Sequence, residues 1–62
     1  MDICIYYENG RVENIEGIDS IYDVIETTSA GNEHKLELVD AHRKIAVNLI
    51  DIAQLKIYGG DY

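Results

Sequence analysis

Apolar and polar residues alternate along most of this 62-residue chain, which is the pattern of half-buried β-strands. Residues 2–8 are the first such segment, and Asn9-Gly10 directly after them is a strong signal for a hairpin with a type I′ turn. Residues 11–15 are then expected to return as the second strand. The two faces of the first strand are Ile3, Ile5 and Tyr7 on one side, and Cys4, Tyr6 and Glu8 on the other.

Residues 13–28 allow two interpretations. Isoleucines and Tyr22 recur there at helical spacing with acidic residues between them, Ser20 could cap a helix, and Gly31 could end it. Gly17 and the local content of isoleucine, valine, tyrosine and threonine favour a strand instead. We expect a strand, with one short helix at about 18–28 as the alternative.

The second half of the chain contains further alternating segments. Residues 40–43 are a polar interruption that predicts a second hairpin, residues 49–52 resemble a single 3₁₀ turn, and Gly59-Gly60 begins a flexible tail. The strands expected around these features are 34–40, 45–49 and 54–58.

Five or six short antiparallel strands in a single domain, residues 1–62, predict an all-β fold. So few residues enclose a core only as a small barrel or a strongly curved sheet. The opening hairpin Tyr7-Glu8-Asn9-Gly10-Arg11-Val12 and the closing stretch Ile45-Ala46-Val47-Asn48-Leu49-Ile50-Asp51-Ile52-Ala53 resemble small Sm-like or SH3-like barrels. The glycine and asparagine signatures of RNA-binding Sm proteins are not recognisable, so RNA binding is not implied.

A core this small usually needs a disulfide, a metal or association with other copies. Cys4 is the only cysteine, which excludes an internal disulfide and suits the reducing cytoplasm. Cys4, His34 and His42 lack the spacing of a zinc site, so neither metal nor cofactor is expected. Homo-oligomerisation is therefore the favoured support. The sequence has no apolar stretch long enough to span a membrane.

The formal net charge of −7 lies in the first half of the chain. Residues 1–33 carry eight acidic residues and one basic residue, whereas 34–62 carry four of each. Direct binding to nucleic acid is therefore disfavoured. An acidic face could instead imitate nucleic acid and occupy the basic groove of an enzyme. The residues proposed for such a face are Glu13, Glu16, Asp19 and Asp23.

Nothing in the chain has the pattern of a catalytic nucleophile with its base, or of two carboxylates in a cleft, so an enzyme is not expected. The one basic cluster is His42-Arg43-Lys44. An ordinary solvated turn is its simplest interpretation. As an alternative, the cluster could hold a small anionic ligand at a subunit interface.

Tyrosine provides contact area with a polar tip, and the chain has five tyrosines without tryptophan or phenylalanine. The expected function is that of a non-enzymatic, cytoplasmic, acidic β-domain that self-associates and binds another protein. In size and charge it is similar to accessory proteins of phages and mobile elements, some of which inhibit host enzymes. The interface candidates are Cys4, Tyr6, Tyr22 and Tyr58.

Overall fold

The computed structural model describes residues 1–59, and the rest of the predicted tail, from Gly60 onward, lies outside the described residues. The described chain is all-β, as predicted. Its elements are β1 (Asp2–Tyr7), β2 (Val12–Ile15), β3 (Ser20–Thr28), β4 (Gly31–Val39), β5 (Lys44–Asn48), a 3₁₀ turn (Leu49–Asp51) and β6 (Ile52–Tyr58).

The alternative helix at 18–28 is wrong. Ser20–Thr28 is extended and pairs along its whole length with β4, from Ser20 opposite Val39 to Thr28 opposite Gly31. The β-branched and tyrosine side chains of this segment suit a pleated, half-buried surface, and the long hairpin supplies the partner that a strand needs. The helical spacing of its isoleucines is therefore coincidental.

The strands form two antiparallel three-stranded sheets. Sheet 1 has the order β2-β1-β6, and sheet 2 has the order β3-β4-β5. Ile3 lies opposite Ile15 on one side and Ile57 on the other in sheet 1. Within residues 1–59 no strand pairing joins the two sheets, so the expected barrel is not closed.

The core lies between the inner faces of the two sheets. Six residues form its buried cluster, and Leu38, Ile5 and Ile18 among them are completely inaccessible to solvent. Alternation places Leu36 and Leu38 on the inner face of β4. The cluster is Ile3, Ile5, Ile15, Ile18, Leu38 and Val47.

The first hairpin forms where Asn9-Gly10 predicts it, but with a different turn. Gly10 N donates to the Tyr7 carbonyl at 3.0 Å, and Tyr7 N donates to the Arg11 carbonyl at 2.8 Å. Gly10 has φ of 89°, whereas Asn9 does not have positive φ. This is a three-residue loop, a type I turn followed by a left-handed glycine, rather than the expected type I′ turn.

The linker between the two sheets is fixed by backbone hydrogen bonds. Ile18 N donates to the Met1 carbonyl at 2.9 Å, and Asp19 N donates to the Val39 carbonyl at 2.9 Å. The linker therefore contacts Met1, directly before β1 of sheet 1, and Val39 at the end of β4 in sheet 2. The buried side chain of Ile18 adds an apolar anchor between these two contacts.

Candidate interaction surfaces

The outer face of sheet 1 is the face opposite Ile3 and Ile5, and it brings together most of the predicted interface residues. Cross-strand register places Tyr6 beside Val12 and Gln54, and Cys4 beside Asn14 and Lys56. The residues of this face are Asp2, Cys4, Tyr6, Val12, Asn14, Gln54, Lys56 and Tyr58.

Tyr6 lies on the central strand of this face, between Val12 and Gln54. Lys56 Nζ lies 5.4 Å from the centroid of its ring, within the range of a cation–π contact. Hydrogen bonding with the Cys4 side chain raises the pKa of the Tyr6 hydroxyl, and the charge of Lys56 acts in the opposite direction. These contacts orient an aromatic ring and a cation side by side on the sheet surface.

Cys4 shares this face with Tyr6, but its side chain is only 6% exposed. The thiol is free and buried, so it contributes little accessible area to an interface. Val12 and Tyr58 are each 51% exposed. The accessible apolar area of the face therefore comes mainly from Val12 and Tyr58, beside the exposed polar residues Asp2, Asn14, Gln54 and Lys56.

The charges on this face cancel. Asp2 and Lys56 are its two charged side chains and have opposite signs, in a chain whose formal net charge is −7. Tyrosine is enriched at the centres of protein interfaces. Two of the eight residues of this face, Tyr6 and Tyr58, are tyrosines.

Tyr22 is not part of that surface. It lies on β3, opposite Glu37 on the outer face of sheet 2, and is 53% exposed. The four interface candidates are thus divided between two sheets, with Tyr6, Tyr58 and the buried Cys4 on one and Tyr22 on the other.

The four residues proposed for an acidic face lie on different parts of the fold. Glu13 is on the inner side of β2, where its Oε1 accepts a hydrogen bond from the Tyr7 hydroxyl at 2.6 Å. Glu16 and Asp19 are in the linker, and Asp23 is on β3, with Oδ1 3.8 Å from His34 Nδ1. Two of the four carboxylates therefore have partners within the chain.

The predicted basic cluster is divided in a similar way. Arg43 Nε donates to Asp40 Oδ2 at 2.6 Å, and Arg43 Nη2 donates to the Glu16 carbonyl. Lys44 Nζ lies 3.7 Å from Glu37 Oε2, and His42 is exposed in the turn. Because Arg43 and Lys44 each face a carboxylate, these residues do not form an unpaired cationic group that would attract an anion.

Two features were not identified from the sequence. One is the free edge of β3, whose nine residues pair with β4 alone among the described strands. The other is a groove of about 320 Å³ between the start of β4 and the 3₁₀ turn. A pattern of alternation shows neither, because both depend on which strands become neighbours. The groove is lined by Asn32, Glu33, His34, Asn48 and Ile50.

Within residues 1–59, no group of three or more histidine, cysteine or acidic side chains has a geometry suited to a metal ion. Cys4, His34 and His42 lie on β1, on β4 and in the β4–β5 turn. The described part of the chain also contains no helix of the length and apolar character that crossing a bilayer requires.

Comparisons with protein-family models, with curated proteins and with solved structures give no match for this chain.

Proposed function

We propose that this chain is a non-enzymatic β-domain that self-associates. We propose further that it binds another protein, and that the outer face of sheet 1 is the surface that binds this partner. The observation that carries the proposal is the composition of that face. It combines half-exposed Val12 and Tyr58 with an oriented Tyr6–Lys56 pair, and its two charges, Asp2 and Lys56, cancel within a strongly acidic chain. Tyrosines in such a setting contribute large contact area at low entropic cost.

The extent of the surface supports self-association. The chain exposes 4495 Å², whereas a compact protein of its mass exposes about 4,000 Å². Its radius of gyration is 12.4 Å, against roughly 10.6 Å for a compact chain of this length. Large apolar side chains remain at least half exposed, and an oligomer would cover part of them. They are Val12, Tyr22, Ile25, Ile50, Ile57 and Tyr58.

The carboxylates outside this face favour a protein partner with a basic rim. Opposite charges around an interface increase the association rate and reject acidic competitors, while the neutral centre provides the contact area. An accessory or inhibitory protein of phage type, acting on a host protein in the cytoplasm, would use this combination of charge and surface. The free thiol of Cys4 is consistent with that reducing compartment.

The finer fold proposal is a Sm-like or SH3-like arrangement. Two features support it: the first and last strands pair in one sheet, and β3, β4 and β5 follow one another in the other. An experimental structure of the assembled protein tests this proposal. Closure of the two sheets into one barrel supports it, and two sheets that remain separate contradict it.

Affinity capture from host extract tests the binding function. The bait proteins are the wild type, a Tyr6→Ala/Tyr58→Ala double variant and the control Ile50→Ala, each shown to be folded by circular dichroism. Ile50 is 85% exposed and lies in the 3₁₀ turn, outside the outer face of sheet 1. We expect one stoichiometric protein partner to be retained by the wild type and by Ile50→Ala, and lost at least ten-fold with the double variant. Equal retention by all three would contradict the proposed binding face.

Native mass spectrometry of the same samples tests self-association. A defined oligomer supports the proposal, and a monomer at all concentrations up to about 100 μM contradicts it. An oligomer that retains a small anionic molecule instead of a protein would contradict the proposed partner and favour ligand binding at a subunit interface.

A further inference from the structure

We infer that the subunits associate through the free edge of β3, by antiparallel pairing of β3 with β3 of a second copy around a two-fold axis at Val24. This inference rests on the proposed self-association and specifies its interface. The two copies of sheet 2 would then form one continuous six-stranded sheet.

The first observation is the length of the edge. β2, β3, β5 and β6 are the outer strands of the two sheets in the described chain, and β3 is the longest of them, with nine residues. An edge strand exposes unpaired N–H and C=O groups, and natural proteins commonly protect such an edge with charged side chains, lysine above all, with proline or with a bulge. β3 contains neither lysine nor proline, and its pairing with β4 runs without a break in register, so Asp23 and Glu26 are the only protective residues it carries.

The second observation is the register that symmetry allows. In a continuous two-fold sheet, paired residues must lie on the same face, so the axis passes through a residue of the strand. An axis at Val24 pairs all nine residues of β3 and puts no carboxylate opposite another: Asp23 faces Ile25 and Glu26 faces Tyr22. An axis at Asp23 would place two Asp23 carboxylates opposite each other, which is destabilising.

The third observation is that Glu26, one of the two carboxylates of β3, already has a cationic partner on β4. Lys35 Nζ lies 2.9 Å from Glu26 Oε2, whereas Asp23 Oδ1 lies 3.8 Å from His34 Nδ1, which is charged only when it is protonated. The negative charge of one β3 is therefore partly compensated before a second, equally acidic copy approaches. This compensation reduces the repulsion that the net charge of −7 would otherwise create between subunits.

The fourth observation is exposed apolar area on both sides of the edge strand. Tyr22 on the outer face is 53% exposed, and Ile25 on the inner face is 59% exposed. In the register centred at Val24, each of them gains a neighbour from the partner strand. Pairing would thus cover apolar surface in addition to satisfying the backbone groups.

Cysteine cross-linking tests the register. Residues directly opposite each other in an antiparallel pair have Cα atoms about 4.5 to 5.5 Å apart, within the range that a disulfide bridges. We expect mild oxidation by diamide to convert most of a Val24→Cys variant to a covalent dimer, with the new bond mapped to position 24 in both chains. The controls are the wild type, which has only Cys4, and Ala46→Cys, which places a thiol on the same face in β5.

Val24→Glu is the complementary variant. Within one subunit the new carboxylate would lie opposite Lys35, which the fold accommodates. Across the two-fold axis it would lie opposite the same introduced carboxylate of the second subunit, and the two negative charges would repel each other. We expect sedimentation analysis to show at least a ten-fold weaker dimer for this variant, with an unchanged circular dichroism spectrum.

The outcomes separate this inference from the function on which it rests. A wild-type dimer whose affinity is unchanged by Val24→Glu, with no cross-link in Val24→Cys, overturns the β3 interface and leaves self-association standing. A wild-type protein that is monomeric overturns self-association itself, and the β3 interface with it.

Discussion

The Asp40 carboxylate and the Arg43 guanidinium fix the β4–β5 turn. Arg43 Nε donates to Asp40 Oδ2 at 2.6 Å, while Asp40 Oδ1 accepts the backbone N–H groups of His42 and Arg43 at 2.7 and 2.9 Å. Arg43 Nη2 also donates to the Glu16 carbonyl in the linker. One carboxylate therefore organises its own turn and positions the arginine that connects this turn to the linker.

Asp40→Asn is expected to lower the stability of the protein at pH 7. The Arg43 side chain, assisted by the His42 amide, holds the pKa of the Asp40 carboxyl below its usual value in the folded state. The folded pKa is thus lower than the unfolded value of about 3.9. The contribution of Asp40 is fully present above pH 4 and is lost as pH falls through the folded pKa.

Urea unfolding of wild type and Asp40→Asn between pH 7 and pH 2, at one fixed protein concentration, measures this effect. The difference in stability between the two proteins should be largest near neutral pH and should shrink in acid. Asp19→Asn is the control, since the exposed Asp19 belongs to no ion pair among the described residues. A difference that stays constant down to pH 2 would show that ionised Asp40 does not contribute in this way.

Leu38→Ala should lower the free energy of unfolding strongly, as expected for truncation of a core side chain. Leu38 is completely buried between the sheets, so the truncation loses apolar burial and leaves a cavity. Losses for such changes are roughly 2–5 kcal/mol, a large part of the stability of a small domain. The free energy of unfolding from urea denaturation is the measurement.

Ile50→Ala is the matched control for the core, because Ile50 is also a large aliphatic residue but is 85% exposed. Its substitution should change the free energy of unfolding by no more than about 0.5 kcal/mol. If Leu38→Ala does not fold, Leu38→Val should still fold and lose about 1 kcal/mol. Equal losses for Leu38→Val and Ile50→Ala would contradict the described core.

The strands were predictable because alternation of side chains on a sheet depends on adjacent residues alone. Ile3 and Ile5 on one face and Tyr6 on the other follow directly from the pleat, and the structure confirms them. The turn type was not predictable, since Asn9-Gly10 suits both a two-residue and a three-residue loop. A type I′ turn needs a positive φ at both Asn9 and Gly10, whereas the observed loop has a positive φ at Gly10 alone.

The surfaces were less predictable, because they depend on contacts between distant segments. Arg43 and Lys44 are adjacent in sequence and suggest one cationic cluster, but the Arg43 guanidinium contacts Glu16, 27 positions away. Likewise, alternation alone does not show that Tyr6 and Tyr58 share a sheet that excludes Tyr22. The order of strands in a sheet is not encoded in neighbouring residues, so it could not be read from the alternation pattern.

Gly10→Ala is expected to destabilise the first hairpin by about 1 kcal/mol, because an L-residue pays a steric cost at positive φ. Gly10 has φ of 89°, and a Cβ built there meets nothing within 4 Å, so the cost comes from the backbone alone. Gly10→Asn should recover part of the loss, since asparagine tolerates the left-handed region better than alanine. Thermal unfolding of the three proteins measures this order, and equal stability for alanine and asparagine would contradict it.

The hydroxyl of Tyr7 should ionise at a higher pH in the folded protein than in the unfolded chain. Burial, and next the hydrogen bond to Glu13, raise the pKa of its hydroxyl, while Arg11, with Cζ 4.6 Å from the ring centroid, acts in the opposite direction. A folded pKa above the unfolded value of about 10 means that Tyr7 contributes stability below pH 10. That contribution is lost as pH rises through the folded pKa.

Tyr7→Phe and Glu13→Gln test this relationship by alkaline absorbance titration. Tyr7→Phe should remove one late-ionising tyrosine and cost roughly 1 kcal/mol at pH 7, because the 2.6 Å hydrogen bond to Glu13 is lost. Glu13→Gln keeps a hydrogen-bond acceptor but removes the negative charge, so the pKa of Tyr7 should fall only part of the way toward its usual value. If Glu13→Gln leaves the titration unchanged, the negative charge of Glu13 does not contribute to the raised pKa of Tyr7.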